Sequence, residues 1–335
     1  MDLIKTHLNF IKIIFLFMLF YFSGCNSDNP TKYEPPTLEV NFPPIDEYPS
    51  FSPDGNKIMY YHLGISKINS DGSYTINSDS AGLWLINIDG TSPRIIMKGI
   101  NIYADWSPNG DWLVINQGGQ IFKAPFIADS INISEIVQLT FEGRNFFPNW
   151  SPDGQWIAYD NTNCGSMIEP PPPNSCGIFK IKDDGTNKQF LVRGRMPNWS
   201  STEDNLIYIG LRNEIFKVNL NDTSNQTQLT RFNDLNPYSN DNRYPKYSPD
   251  GNKIVFESQA ESDVPKVWTM NSKGDNLFCL TSYGGINSDY SITGKIAYIH
   301  YNYRIWQNNE KTNGTLWIMD SDGNNKQQLT FGPYR

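Results

Sequence analysis

The chain has 335 residues, with 27 basic against 35 acidic side chains and a net charge of −8 at pH 7. No basic stripe offers phosphate contacts, so a nucleic-acid partner is excluded from the expectation. Aromatic residues make up 14%, with 25 Gly and 22 Pro, a composition that suits many short strands joined by turns.

Residues 1–24 have the pattern of a targeting segment. Lys5 and Lys12 precede an apolar run of ten residues, Ile13 to Phe22, which is too short for an ordinary membrane span. Phe22-Ser23-Gly24-Cys25 resembles a bacterial lipoprotein signal. Small residues fit the peptidase before Cys25, whose sulfur would carry the lipid, although Phe22 stands where Leu is usual. A secretory leader with an incidental cysteine and an uncleaved anchor are the alternatives. Cleavage removes Asp2, Lys5 and Lys12 and leaves 25 basic against 34 acidic residues. Residues 25–47 carry Pro30, Pro35, Pro36, Pro43 and Pro44 and are expected to form an extended tether. Asn26 after the lipid site argues against inner-membrane retention, so an outer-membrane anchor is expected.

From residue 48 a phrase recurs: an aromatic residue, then Ser-Pro-Asp-Gly. It reads Phe51 to Gly55, Trp106 to Gly110 (with Asn109 for Asp), Trp150 to Gly154 and Tyr247 to Gly251. Trp199-Ser200-Ser201 and Tyr290-Ser291-Ile292-Thr293-Gly294 are eroded copies, and the intervals between the aromatics are 55, 44, 49, 48 and 43 residues. Such spacing signals a repeat architecture. Pro presets the turn, Asp tolerates its third position and Gly takes the positive φ that follows. Each phrase thus joins two strands, as Trp150 to Tyr159 shows. Two more strands follow, turning at Asp89-Gly90, Asp184-Gly185, Lys273-Gly274 or Asp322-Gly323 and ending in Leu-Thr at residues 139, 229, 280 and 329. Four antiparallel strands in about 45 residues make one propeller blade. The expected fold is all-β: a six-bladed β-propeller of four-stranded blades over residues 48–335. Leu38 to Phe42 is a candidate extra edge strand for ring closure.

The phrase and the Leu-Thr ending resemble the WD40-like (PD40) repeats of the TolB propeller family over roughly residues 48 to 331. The usual WD40 Gly-His and Trp-Asp signatures are absent. Residues 26–47 leave no room for that family's separate N-terminal α/β domain. The resemblance therefore implies the propeller alone.

Cys25 is assigned to lipid. In an exported protein Cys164 and Cys176, flanking a loop with four prolines at its tip, are expected to form a disulfide. Cys279, in a strand, is expected to be a buried free thiol.

Catalytic signatures are scarce. No Gly-x-Ser-x-Gly elbow occurs. His62 and His300 fall at equivalent positions, the end of the second strand, in blades one and six. A metal-dependent lyase could combine them with Glu257 or Asp160, but neighbouring blades usually hold equivalent positions too far apart for one ion. Two unrelated polar residues are the plainer explanation. Asp320 to Asn324 resembles the opening of a calcium loop but lacks the Glu at its twelfth position, so a hairpin turn is expected. No cofactor and no metal are expected.

The long connections are not scattered. His62 to Ser80, Asn161 to Ser175 and His300 to Asn313 follow second strands, and Arg231 to Tyr244 links two blades. In propeller geometry all four share one face. They bring aromatics and arginines, common interface anchors: Arg144, Phe146, Arg195, Arg243, Tyr244, Tyr301, Tyr303, Arg304 and Trp306. For Phe147 and Tyr244, packing between blades is an equal alternative. The function expected is non-catalytic binding or scaffolding of an envelope protein, peptide or glycan by a monomer, with a polysaccharide lyase or hydrolase as the alternative.

Overall fold

A computed structural model describes residues 45–68, 74–162, 174–231, 241–260, 264–301 and 314–331. The assignments made for Cys25, the tether up to residue 44, Cys164, Tyr303, Arg304 and Trp306 lie outside the described residues, as does the candidate strand Leu38 to Phe42.

Each repeat unit builds one antiparallel set of strands, and those of the first and sixth units join into a single sheet. The first unit consists of Ile45–Phe51, Lys57–Leu63, Gly82–Asn87 and Arg94–Lys98. Its first strand begins ahead of residue 48, because Ile45 and Asp46 pair with Leu63 and His62. The second has Tyr103–Trp106, Trp112–Gln117 and Gln120–Ile127, with Ser130–Ile131 and Val137–Gln138 both on its outer edge. The third, fourth and fifth units have four strands each, starting at Asn145–Trp150, Arg195–Trp199 and Asn242–Tyr247. The sixth has Gly285–Tyr290, Lys295–Tyr301, Gly314–Asp320 and Gln327–Gln328.

The repeated phrase makes the hairpin for a visible reason. The Ser hydroxyl accepts the N–H that restarts the second strand, at 3.0 Å for Lys57, 2.9 Å for Trp112, 2.9 Å for Trp156 and 2.9 Å for Lys253. It donates to the Asp or Asn two residues on, at 2.6, 2.7, 2.5 and 2.6 Å. The glycines take φ between 69° and 78°, where a side chain would be strained. The Asp320 to Asn324 segment is likewise a turn, with the Gly323 N–H on the Asp320 carbonyl at 2.9 Å.

Strand alternation buries both faces of each sheet. In the fifth unit Ile254 and Phe256 point toward a core shared with Ile207, Ile209 and Ile215 of the fourth unit. Val255 lies in a different core, with Ile296, Tyr298 and Met319 of the sixth. Every core is shared by two successive units, and one joins the last to the first: Ile58, Tyr60 and Trp84 pack with Ala297, Leu316 and Leu329. The Leu of each Leu-Thr ending also lies beside the turn glycine of the next unit. A Cβ built on Gly185 would meet Leu139 at 3.6 Å, and one on Gly90 would meet Leu329 at 3.5 Å.

The threonines complete the joints. The Thr330 hydroxyl accepts from Leu316 N–H at 2.8 Å and donates to Asp46 Oδ2 at 2.6 Å. Asp46 Oδ1 holds His62 Nδ1 at 2.7 Å. The last strand is thereby tied to the first, beside a single parallel pairing of Ile45 with Gly314.

One expectation is corrected. Cys176 and Cys279 are both disulfide-bonded, so Cys279 is not a free thiol. Its place in a strand gave no sign of a partner.

Candidate binding face

Antiparallel pairing puts the start of each first strand beside the end of each second strand. Asn145 faces Asn161, Asn242 faces Ser258 and Gly285 faces His300. The connections after residues 63, 161, 258 and 301 therefore leave one face, together with the links between units. The Ser-Pro-Asp-Gly turns occupy the opposite face. Part of the first connection is a small hairpin, Ile65–Ile68 with Tyr74–Ile76.

The first strands meet around the centre, and all but the second unit's carry a bulge there. At each bulge one residue has left-handed backbone: Tyr48 (φ 54°), Phe147 (φ 49°), Met196 (φ 55°), Tyr244 (φ 50°) and Asn287 (φ 49°). Such backbone costs bulky residues roughly 1–3 kcal/mol and is kept only where the surroundings enforce it. Here it aims side chains inward. Tyr48 lies 5.5 Å from Tyr103, 6.0 Å from Phe147 and 5.5 Å from Tyr244, ring centre to ring centre. Phe147 lies 5.3 Å from Tyr103 and 5.4 Å from Tyr244. These four rings close the centre as an edge-to-face plug.

A bulge frees backbone N–H groups that must find partners. Met196 N–H donates to Asp160 Oδ2 at 3.2 Å, and Asn287 N–H donates to Glu257 Oε2 at 3.0 Å. Each acceptor comes from the preceding unit. Burial pushes the Asp160 carboxyl up to about 7, against the Met196 N–H and Arg195. Burial likewise lifts Glu257 to about 7, against the Asn287 N–H and Arg243. Glu47 is raised to about 7 by burial and by Asp46, while a hydrogen bond from Tyr301 opposes the rise.

A second belt lies one step further along the strands, at the residue before each marker aromatic. Asp289 accepts from Phe51 N–H at 2.9 Å, Asp105 from Trp150 N–H at 3.0 Å, Asn149 from Trp199 N–H at 3.1 Å and Asn198 from Tyr247 N–H at 2.8 Å. In the fifth unit this position is Lys246, which reaches Tyr103 of the second unit at 3.2 Å. Burial pulls Lys246 down, but Tyr103, Asp105 and Asp289 outweigh it and hold the ammonium above the ordinary lysine value. Asp289 is raised to about 6 by burial, with Lys246 opposing.

The rim above the plug gathers several of the residues singled out in the sequence. Arg195 donates to Asn213 Oδ1 at 2.7 Å and lies 3.5 Å from Asp241. Arg243 pairs with the other oxygen of Asp241. Tyr244 is half-buried in the plug, its hydroxyl 3.4 Å from that of Tyr48. Phe146 is half-buried under the exposed Arg144, whose guanidinium lies 5.9 Å from its ring. Tyr301 reaches Glu47.

The histidines occupy separate settings. His62 is buried on Asp46 and lies 5.3 Å from the Trp84 ring. His300 lies 5.4 Å from Trp317, and burial pushes its pKa down. Among the described residues no three His, Cys, Asp or Glu side chains are grouped to hold a metal ion. No described helix is long and apolar enough to cross a membrane.

Sequence reasoning missed Tyr48, Tyr103, Glu47, Asp241 and Lys246. The signal for Lys246 was available: it is the one basic residue in the position before the aromatic, where the other units have Ser50, Asp105, Asn149, Asn198 and Asp289.

No protein-family model and no curated protein matches this chain. Solved structures do. One assigned as TolB from Agrobacterium tumefaciens superposes with a TM-score of 0.58 at 20% identity, over 73% of this chain and 86% of that one. TolB from Acinetobacter baumannii gives 0.58 at 16% identity over 81% of this chain, which spans 62% of its length. An oligogalacturonate lyase in complex with manganese gives 0.51 at 11% identity, over 85% of this chain and 78% of that one. At such identities the likeness shows the fold, and this chain carries a TolB-like β-propeller.

Proposed function

We propose that the chain is a six-bladed propeller, lipid-anchored through Cys25 in the outer membrane of the cell envelope, that binds a protein, peptide or glycan without catalysis. Residues 1–24 would be its signal peptide, and the stretch from Cys25 up to the first strand at Ile45 its tether. The observation that carries the reading is the loop face. An aromatic plug closes the centre, and above it stand Arg195, Arg243, Asp241 and Phe146. Arginines and aromatics over a rigid, strained scaffold are what an interface anchor requires. Tyr303, Arg304 and Trp306 would extend the same surface, and a disulfide between Cys164 and Cys176 would brace a neighbouring loop.

The lyase or hydrolase reading stands second, supported by the fold of the manganese-bound lyase. Against it, the carboxyls available for such chemistry already serve the scaffold: Asp160 and Glu257 each accept a backbone N–H of the next unit. The test compares envelope proteins retained by the wild type and by a Phe146→Ala/Arg243→Ala variant. Loss of the retained species with folding intact supports the binding reading. Turnover of an acidic oligosaccharide, abolished by Glu257→Gln, would replace it with the enzymatic one.

A further inference from the structure

The hairpin face is irregular at the joint between the third and fourth units. Where two successive units both keep the phrase, the turn glycine of one sits on the turn proline of the unit before. A Cβ on Gly110 would meet Pro53 at 3.7 Å, and one on Gly154 would meet Pro108 at 3.8 Å. The fourth unit carries Ser200-Ser201-Thr202-Glu203 instead. The strand registers, Trp150 with Ile157 and Trp199 with Leu206, put Glu203 in the place of Gly154. Glu203 does not adopt the left-handed backbone. The turn closes differently, with the Asn205 N–H on the Glu203 carbonyl at 2.8 Å. No turn glycine of the fourth unit faces Pro152 as Gly110 and Gly154 face Pro53 and Pro108.

A cavity of about 480 Å³ opens at this joint, within the usual range of ligand sites. Trp156 and Lys180 line it from the third unit, with Asp153; Glu203, Asp204 and Asn221 line it from the fourth. Trp156 is half-buried, and its indole N–H has no hydrogen-bond partner among the described residues. The Lys180 ammonium lies 4.5 Å from the centre of the Trp156 ring. Each carboxylate uses one oxygen internally: Asp153 takes Ser151 at 2.5 Å, Glu203 takes Asn205, and Asp204 takes Asn221 at 3.1 Å. The second oxygen of each has no partner among the described residues.

We propose that this crevice is a binding site for a neutral saccharide. An aromatic ring beside a free N–H donor and several free carboxylate oxygens matches the apolar face and hydroxyl rim of a sugar ring. Anions are disfavoured by three carboxylates. A cationic ligand would meet the Lys180 ammonium already placed over Trp156. The site is independent of the loop face and of the function proposed for it.

The test follows the indole N–H signals of the nine tryptophans in 15N-labelled protein, with Trp156 assigned from Trp156→Phe. Maltose, cellobiose and di-N-acetylchitobiose are titrated, with tri-lysine as the cationic comparison. At least one disaccharide is expected to shift Trp156 saturably. Trp156→Ala should weaken that binding by about tenfold or more. A variant with the turn restored (Ser201→Pro, Thr202→Asp, Glu203→Gly) should bind as weakly while keeping its dispersed spectrum, so that loss of binding is separable from loss of fold. A Trp156 signal unmoved by all three sugars, moved only by tri-lysine, or still moved in the restored-turn variant overturns the proposal.

Discussion

Replacing Thr330 by Val removes one hydroxyl that joins the two ends of the described chain. Thr330 and Asp46 are both fully buried. The hydroxyl accepts Leu316 N–H at 2.8 Å and donates to Asp46 Oδ2 at 2.6 Å. Val fills nearly the same volume, so the loss is polar. It leaves one buried N–H and one carboxylate oxygen short of partners, each costing roughly 1–3 kcal/mol. A total near 3 kcal/mol corresponds to a fall in Tm of about 5 °C for a domain of about 290 residues. Thr230→Val is the internal control, because Thr230 serves Ile215 N–H and Glu214 within the fourth unit. Calorimetry gives the magnitude, and hydrogen exchange gives the location. Thr330→Val should release protection in Ile45–Phe51 as well as in the sixth unit, while Thr230→Val should spare Ile45–Phe51. A Tm unchanged within about 1 °C, or exchange confined to the sixth unit, would refute the reasoning that this hydroxyl ties the ends together.

Other outcomes follow from the buried charges. Asp160, Glu257 and Glu47 are raised to about 7 and Asp289 to about 6 in the folded state. A raised carboxyl contributes stability that is complete below its unfolded value near 4 and is lost as pH rises through the folded value. Tm should therefore fall between pH 5 and pH 8 and level off above, and Glu257→Gln should flatten the slope; a Tm that climbs over that range contradicts the assignment. Lys246→Met leaves Asp105 and Asp289 without their cation and should cost about 3–5 kcal/mol, more at pH 8 than at pH 5. Equal stability of this variant and the wild type at pH 8, measured by chemical denaturation, would show that the lysine does not balance those carboxylates. Arg243→Ala, at the exposed rim, should change Tm by no more than about 1–2 °C.

What could be read from the sequence was whatever repeats. The Ser-Pro-Asp-Gly phrase encodes its hairpin locally, through one hydroxyl and one left-handed glycine, so four short strands per unit were legible. The Leu-Thr ending was visible as a marker, but its work was not. Leu packs on a glycine of the next unit and Thr reaches a carboxylate or carboxamide, as Thr140 reaches Gln120 at 2.8 Å. The leucine contacts and that of Thr330 with Asp46 cross between units, and spacing along the chain does not reveal them. The clustering of long connections on one face was legible from strand order alone.

The centre of the site was not. Tyr48, Phe147 and Tyr244 look like ordinary strand aromatics, and only the bulges turn them into the channel. Tyr244 therefore forms part of the floor rather than a free rim anchor. Asp160 and Glu257 stood out as possible chemistry, and the structure places each on the N–H that a neighbouring bulge releases. The eroded phrase at Ser200 to Glu203 counted only as a weak repeat. Its consequence, an opened joint beside Trp156, appears once the neighbouring turns are seen packing glycine on proline.

The proposed function requires that the loop face, and not the hairpin face, engage the protein partner. The most direct measurement quantifies envelope proteins retained by immobilised protein in three forms: wild type, Phe146→Ala/Arg243→Ala on the loop face, and Asn56→Ala/Asn252→Ala on the hairpin face. A retained protein should be lost only from the loop-face variant, with all three forms melting alike. Retention that survives the loop-face changes, or that is lost from the hairpin-face variant, would contradict it.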